Sequence, residues 1–162
     1  MANYNINSGN LTALGTSDAD NFYFRTGGGP NVVINAAAGN DSTYIQDSES
    51  AIASSLDNLF LSLQGGADYL LASGDSRLVG DATAGTIRAG AGGDSLTLNL
   101  KSASLASYSL SLGDGSDSLN ANLLNVTDST ITAGSGADTV VLSAVTITDS
   151  GILLGDFSKP KR

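Results

Sequence analysis

Six aspartates close short, glycine-rich segments: Asp20, Asp41, Asp68, Asp94, Asp117 and Asp138. Three of these segments read Gly-x-Gly-x-Asp in full: Gly90-Ala91-Gly92-Gly93-Asp94, Gly113-Asp114-Gly115-Ser116-Asp117 and Gly134-Ser135-Gly136-Ala137-Asp138. Gly39-Asn40-Asp41 and Gly65-Gly66-Ala67-Asp68 are weaker copies, and Asp18-Ala19-Asp20 is the weakest. Carboxylates placed in turns can do two things. They accept hydrogen bonds from backbone N–H groups of their own turn. They can also hold a hard cation such as calcium, which takes carboxylate and carbonyl oxygens in flexible geometry. Glycine supports the second role by letting the backbone turn its carbonyls toward an ion.

The spacing of the aspartates says what must position them. Successive steps are 21, 27, 26, 23 and 21 residues. Apolar residues keep register with each corner. Seven before each Asp stand Ala13, Ile34, Leu61, Ile87, Leu110 and Ile131. Two after it stand Phe22, Thr43, Leu70, Leu96, Leu119 and Val140. Between them character alternates, as in Leu96-Thr97-Leu98-Asn99-Leu100, which marks strands with one buried face. Each repeat therefore reads as strand, glycine corner, strand, loop. One such unit cannot bury its own apolar face, but copies stacked about 4.8 Å apart can. The expected fold is all-β: a single-domain parallel β-helix, or solenoid, of six to seven coils. Each coil takes roughly 21 to 27 residues, a period within the range of solenoid repeats. The domain would span residues 1–158, with 1–30 as an N-terminal capping coil and 159–162 as a basic tail. An antiparallel sandwich is the rival arrangement. Ser50 to Asn58 reads as an extended loop rather than a helix, and Phe22, Tyr23 and Phe24 as core or capping residues of the first coil.

The corners resemble the calcium-binding nonapeptide of the repeats-in-toxin (RTX) family, Gly-Gly-x-Gly-x-Asp-x-apolar-x, a parallel β-helix repeat. Leu96, Leu119 and Val140 fill its apolar position after Asp94, Asp117 and Asp138. The resemblance implies calcium held between successive corners, with Asp68, Asp94, Asp117, Asp138, Gly92, Gly115 and Gly136 as the metal-site residues. The family carries a corner on both edges of a short coil, whereas this chain has one corner per coil. Its opposite edge bears other turns, Thr127-Asp128-Ser129 and Thr148-Asp149-Ser150, whose aspartates read as turn caps.

Composition narrows the function. The chain has no Cys and no His, which removes thiolate sites, imidazole bases and Ser-His-Asp triads. A formal charge of -9 argues against nucleic acid as a partner. No apolar run reaches membrane-spanning length, and the first residues lack the pattern of a signal peptide. Asp18 and Asp20 form a tight acidic pair near Arg25, but no base, nucleophile or oxyanion group accompanies them. An enzyme is not expected. Solenoid ends expose open sheet edges unless capped. The expected partners are therefore further copies or other structural subunits. The leading expectation is a structural protein of an extracellular assembly, a bacteriophage virion decoration or fibre component. The alternatives are a secreted bacterial surface or matrix protein of the RTX type and a carbohydrate-binding adhesin. The tail Lys159-Pro160-Lys161-Arg162 reads as a solvated terminus or as a dock for an acidic neighbour.

Overall fold

The structure, a computed structural model, describes residues 1–6, 12–24, 32–46, 55–57, 59–73, 77–79 and 85–155. Sixteen strands are named among them. They are β1 (Asn3–Ile6), β2 (Thr12–Leu14), β3 (Asn21–Phe24), β4 (Val33–Asn35), β5 (Ser42–Gln46), β6 (Ser55–Asp57), β7 (Phe60–Ser62) and β8 (Tyr69–Ser73). After these come β9 (Arg77–Val79), β10 (Gly85–Gly92), β11 (Ser95–Ala106), β12 (Tyr108–Gly115), β13 (Ser118–Thr127), β14 (Thr130–Gly136), β15 (Thr139–Thr148) and β16 (Gly151–Leu153). No helix occurs among the described residues.

Every strand pair is parallel, so the chain is a β-solenoid and not an antiparallel sandwich. One face runs β1-β3-β5-β8-β11-β13-β15 and the other β16-β14-β12-β10-β7-β4-β2. The winding makes about five turns, fewer than the six to seven expected from the corners. Among the described residues each face has a terminal strand at both ends that is paired on one side only.

The register accounts for the uneven repeat length. Leu100 pairs with Leu123, whereas Ser104 pairs with Asn125, so the offset between partners shortens by two across this stretch. Two extra residues are thus accommodated at the irregularity between Leu100 and Ser104, on the side away from the corner. The corner itself stays in step. The first face is a nine-stranded sheet, in which β6 pairs β9 and β9 pairs the end of β11 off the main path. β6 lies within the Ser50–Asn58 stretch and is extended, while the rest of that stretch is outside the described residues.

The apolar columns seen in the sequence face inward and stack coil on coil. Ile34, Leu61, Ile87, Leu110 and Ile131 are buried on one wall, and Phe22, Leu70, Leu96 and Leu119 on the other. Phe22 and Phe24 join the core as expected. Tyr23 instead points outward and stacks on Tyr44, with centroids 5.1 Å apart and planes 8° from parallel. Each buried leucine touches its counterparts above and below, so deleting one leaves a cavity bounded on both sides by fixed coils. Leu110→Ala should cost about 2–5 kcal/mol in urea unfolding, the range for buried Leu→Ala changes. Ser109→Ala, on the exposed face of the same strand, should change stability by about 0.5 kcal/mol or less.

Candidate metal centre

A parallel ladder satisfies backbone groups only while the strands stay extended, and at a corner that pairing lapses. The corner aspartates restore it. The N–H of Asp20 donates to Oδ1 of Asp41 (2.7 Å), that of Asp41 to Asp68 (2.8 Å) and that of Asp68 to Asp94 (2.9 Å). The N–H of Asp94 donates to Asp117 (2.9 Å), and that of Asp117 to Asp138 (3.1 Å). The donor is thus the aspartate of the preceding coil, not a group of the same turn. The carbonyls of Asp20, Asp41, Asp68, Asp94 and Asp117 also accept the N–H just past the next corner, as in Ser118 to Asp94 at 2.8 Å. Two hydrogen bonds per corner lock each coil to the next.

The glycines make this stacking possible. Gly39, Gly66, Gly92, Gly115 and Gly136 form a column two residues before the aspartates, with φ between +134° and +150°. A Cβ on Gly115 would sit 1.5 Å from the carbonyl oxygen of Gly92, and one on Gly136 would sit 1.5 Å from that of Gly115. The place of a Cβ on Gly115 is thus taken by that carbonyl, with Asp117 Oδ1 at 3.4 Å from the same point. The first position of the motif is not glycine in every coil. Its column holds Ala37 and Gln64 at φ +72° and +74°, and only then Gly90, Gly113 and Gly134. Gly115→Ala should destabilise the fold by more than about 2 kcal/mol, since both the left-handed backbone and the neighbouring carbonyl exclude a methyl. Thermal melting of the purified variant would show it.

The second carboxylate oxygen is the unusual feature. Oδ2 of Asp41, Asp68, Asp94 and Asp117 is buried with no hydrogen-bond partner. Asp20, at the head of the column, differs. Its Oδ1 accepts from Ala2 N–H (2.6 Å), and its Oδ2 accepts from the Thr16 N–H (2.7 Å) and hydroxyl (2.9 Å). Asp138, at the other end, is half-buried. The electrostatics follow the same division. Burial pushes the Asp68 carboxyl up to about 7, against the lowering effect of the Asp41 N–H and with added repulsion from Asp94 and Asp41. Burial also raises Asp41, Asp94 and Asp117, with repulsion from a neighbouring aspartate adding to it in each case. Burial acts upward on Asp20 too, but its hydrogen bonds from Ala2 and Thr16 outweigh it and hold the carboxyl below its usual value.

All seven residues proposed from the sequence lie along this corner. Asp41 belongs with them, although its weak motif counts against it: its second glycine, Gly39, and its orphaned Oδ2 match those of the better copies. The calcium that the family resemblance implies fits the orphaned oxygens, which need a positive partner. No three acidic side chains converge on one point among the described residues. A calcium ion there would take Oδ2 atoms from adjacent coils and complete its shell with carbonyls or water.

The opposite edge uses a neutral version of the same device. Tyr108 N–H donates to Oγ of Ser129, and Ser129 N–H to Oγ of Ser150, both at 3.1 Å. Each hydroxyl donates in turn to a carbonyl two residues back, Thr127 or Thr148. Asp128 and Asp149 sit beside these serines in left-handed conformation, at φ +48° and +49°. The turn is therefore stitched by serine, a role that the sequence reading gives to the aspartates. The recurrence of Ser129 as Ser150, one coil on, is the signal available in the sequence.

Comparison of the chain with family models, curated proteins and solved structures returns no match.

The pH dependence of the metal-free protein follows from the directions of these shifts. A carboxyl whose folded pKa is raised binds more protons in the native than in the unfolded state between the two values, so native stability falls as pH rises through that window. For Asp68 the window runs from 3.8 to about 7. Asp20 acts oppositely, losing stability as pH falls below 3.8. In chelator, the melting midpoint should therefore peak near the low end of the Asp68 window and fall toward neutrality. Asp94→Asn, which keeps an Oδ1 acceptor but removes the charge, should flatten that fall.

Proposed function

We propose that the chain is a non-catalytic structural protein of an extracellular assembly, such as a bacteriophage virion decoration or fibre component, whose corners are stabilised by calcium between stacked aspartates. The observation that carries this reading is the run of buried, unpartnered Oδ2 atoms in four consecutive coils. A row of carboxylates about 4.8 Å apart, the spacing of paired strands, repels unless each is neutralised. Calcium does this with the ligand type the corner offers, and extracellular modules need only bind it in the range of about 10⁻⁴–10⁻³ M. The remainder of the molecule suits a building block. It is one continuous stack with polar outer faces, and its long-range pairing ties each coil to its neighbours.

A secreted RTX-type protein is the second reading, favoured by the Gly-x-Gly-x-Asp corners. The adhesin reading has less support, because Tyr23 and Tyr44 turn their ring faces to each other.

Calorimetry in EDTA and in millimolar calcium tests the proposal. Calcium bound only to the native state raises the midpoint by mass action, and by more as its concentration increases. A folded apoprotein with a lower midpoint supports the structural-component reading. A chain that is unfolded in EDTA and folds on calcium addition favours the secreted type. An unchanged midpoint at neutral pH rejects calcium at the column.

A further inference from the structure

The two ends of the stack are not equivalent. At the head, the inward-facing residues of the first strands are covered: Ile6 is 2 % exposed and Ala13 6 %. Tyr4 stacks on Phe22 with centroids 4.8 Å apart, and the carboxylate of Asp20 has all the partners described above. At the tail the corresponding core columns lie open. Ile147 continues the column of Leu105 and Val126, both fully buried, yet is 48 % exposed. Ile152 continues that of Leu110 and Ile131 and is 37 % exposed. Leu154, one residue past the Thr132–Leu153 pair, follows buried Ala133 and is 53 % exposed. Beside them, among the described residues, β15 pairs only with β13 and β16 only with β14, so both sheets end there with one edge unpaired.

A partner for this surface must offer unpaired strand edges from two sheets with an apolar core between them. That description fits the end rung of another solenoid. A second copy of this chain carries one such open rung, its own tail, because the core of its head is already covered. We infer that two copies dock tail to tail, burying Ile147, Ile152 and Leu154 and pairing the free edges in antiparallel fashion. The contact is self-complementary and closes at the dimer. One full rung, from Thr130 to its partner Gly151, falls within the roughly 20–30 residues a side of a standard interface.

The inference rests on the building-block reading but not on calcium, and one set of measurements separates the two. Sedimentation equilibrium of the full chain, from micromolar to submillimolar concentration in calcium, should show the mass rise from 16.2 kDa to twice that value and stop. Leu154→Glu would place an unpaired charge in the contact and should weaken the dimer by roughly a hundredfold or more. Its calcium-dependent midpoint should survive, since Leu154 does not touch the aspartate column's hydrogen bonds. Leu14→Glu, on the exposed surface of the head, should leave the dimer intact. Mass that keeps rising with concentration, and that Leu14→Glu abolishes, would show head-to-tail stacking and overturn the inference. A monomer at every concentration would overturn it as well.

Discussion

Backbone N–H groups at the corner lose their strand partner, and a buried amide without an acceptor costs as much as a lost hydrogen bond. In this solenoid the missing acceptor is a side chain from the next coil. Asp41, Asp68, Asp94, Asp117 and Asp138 each lend one oxygen to the aspartate beneath. The donors and acceptors all point the same way, which gives the stack a direction. Asp20 ends it at the head, held by Ala2 and Thr16. The glycine column follows from the same contact. For the carboxylate to reach the preceding coil, the turns must nest so closely that a carbonyl occupies the place of a Cβ.

Solving the hydrogen-bond problem with aspartate creates an electrostatic one. Serine does the same work on the far edge without charge, through Ser129 and Ser150. The choice of aspartate leaves a second oxygen over, and burial makes that oxygen acidic only with difficulty. Protons and calcium are alternative ways to neutralise it. At low pH protons suffice, and near neutrality the calcium proposed above would take their place.

Much of the fold was legible because the solenoid repeats its constraints. The columns through Leu110 and Ile131, or Leu96 and Leu119, appear in the sequence as apolar residues at fixed distance from Asp. The longer repeats were legible as insertions on the far side, and the shift between Leu100 and Ser104 locates one of them. Other features depend on contacts between coils, which a single repeat does not display. Ranking the corners by their number of glycines undervalues Asp41. The second glycine, present as Gly39, is kept at every corner from Asp41 to Asp138, while the first position holds Ala37 and Gln64 in the earlier coils. The identity of the donor was equally hidden, since a hydrogen bond to the next coil looks the same in sequence as one within the turn. Grouping Tyr23 with its aromatic neighbours places it inward, although the two-residue alternation sets it between Phe22 and Phe24 and so on the outer face.

The most direct measurement is a crystal structure grown with calcium, with anomalous scattering used to locate the metal. Calcium at the column requires anomalous peaks between successive corners, about 2.3–2.6 Å from Oδ2 of aspartates in adjacent coils. A column free of anomalous signal at neutral pH, with each Oδ2 satisfied by ordered water or by a shared proton, would contradict the metal and leave the aspartates as hydrogen-bond acceptors alone.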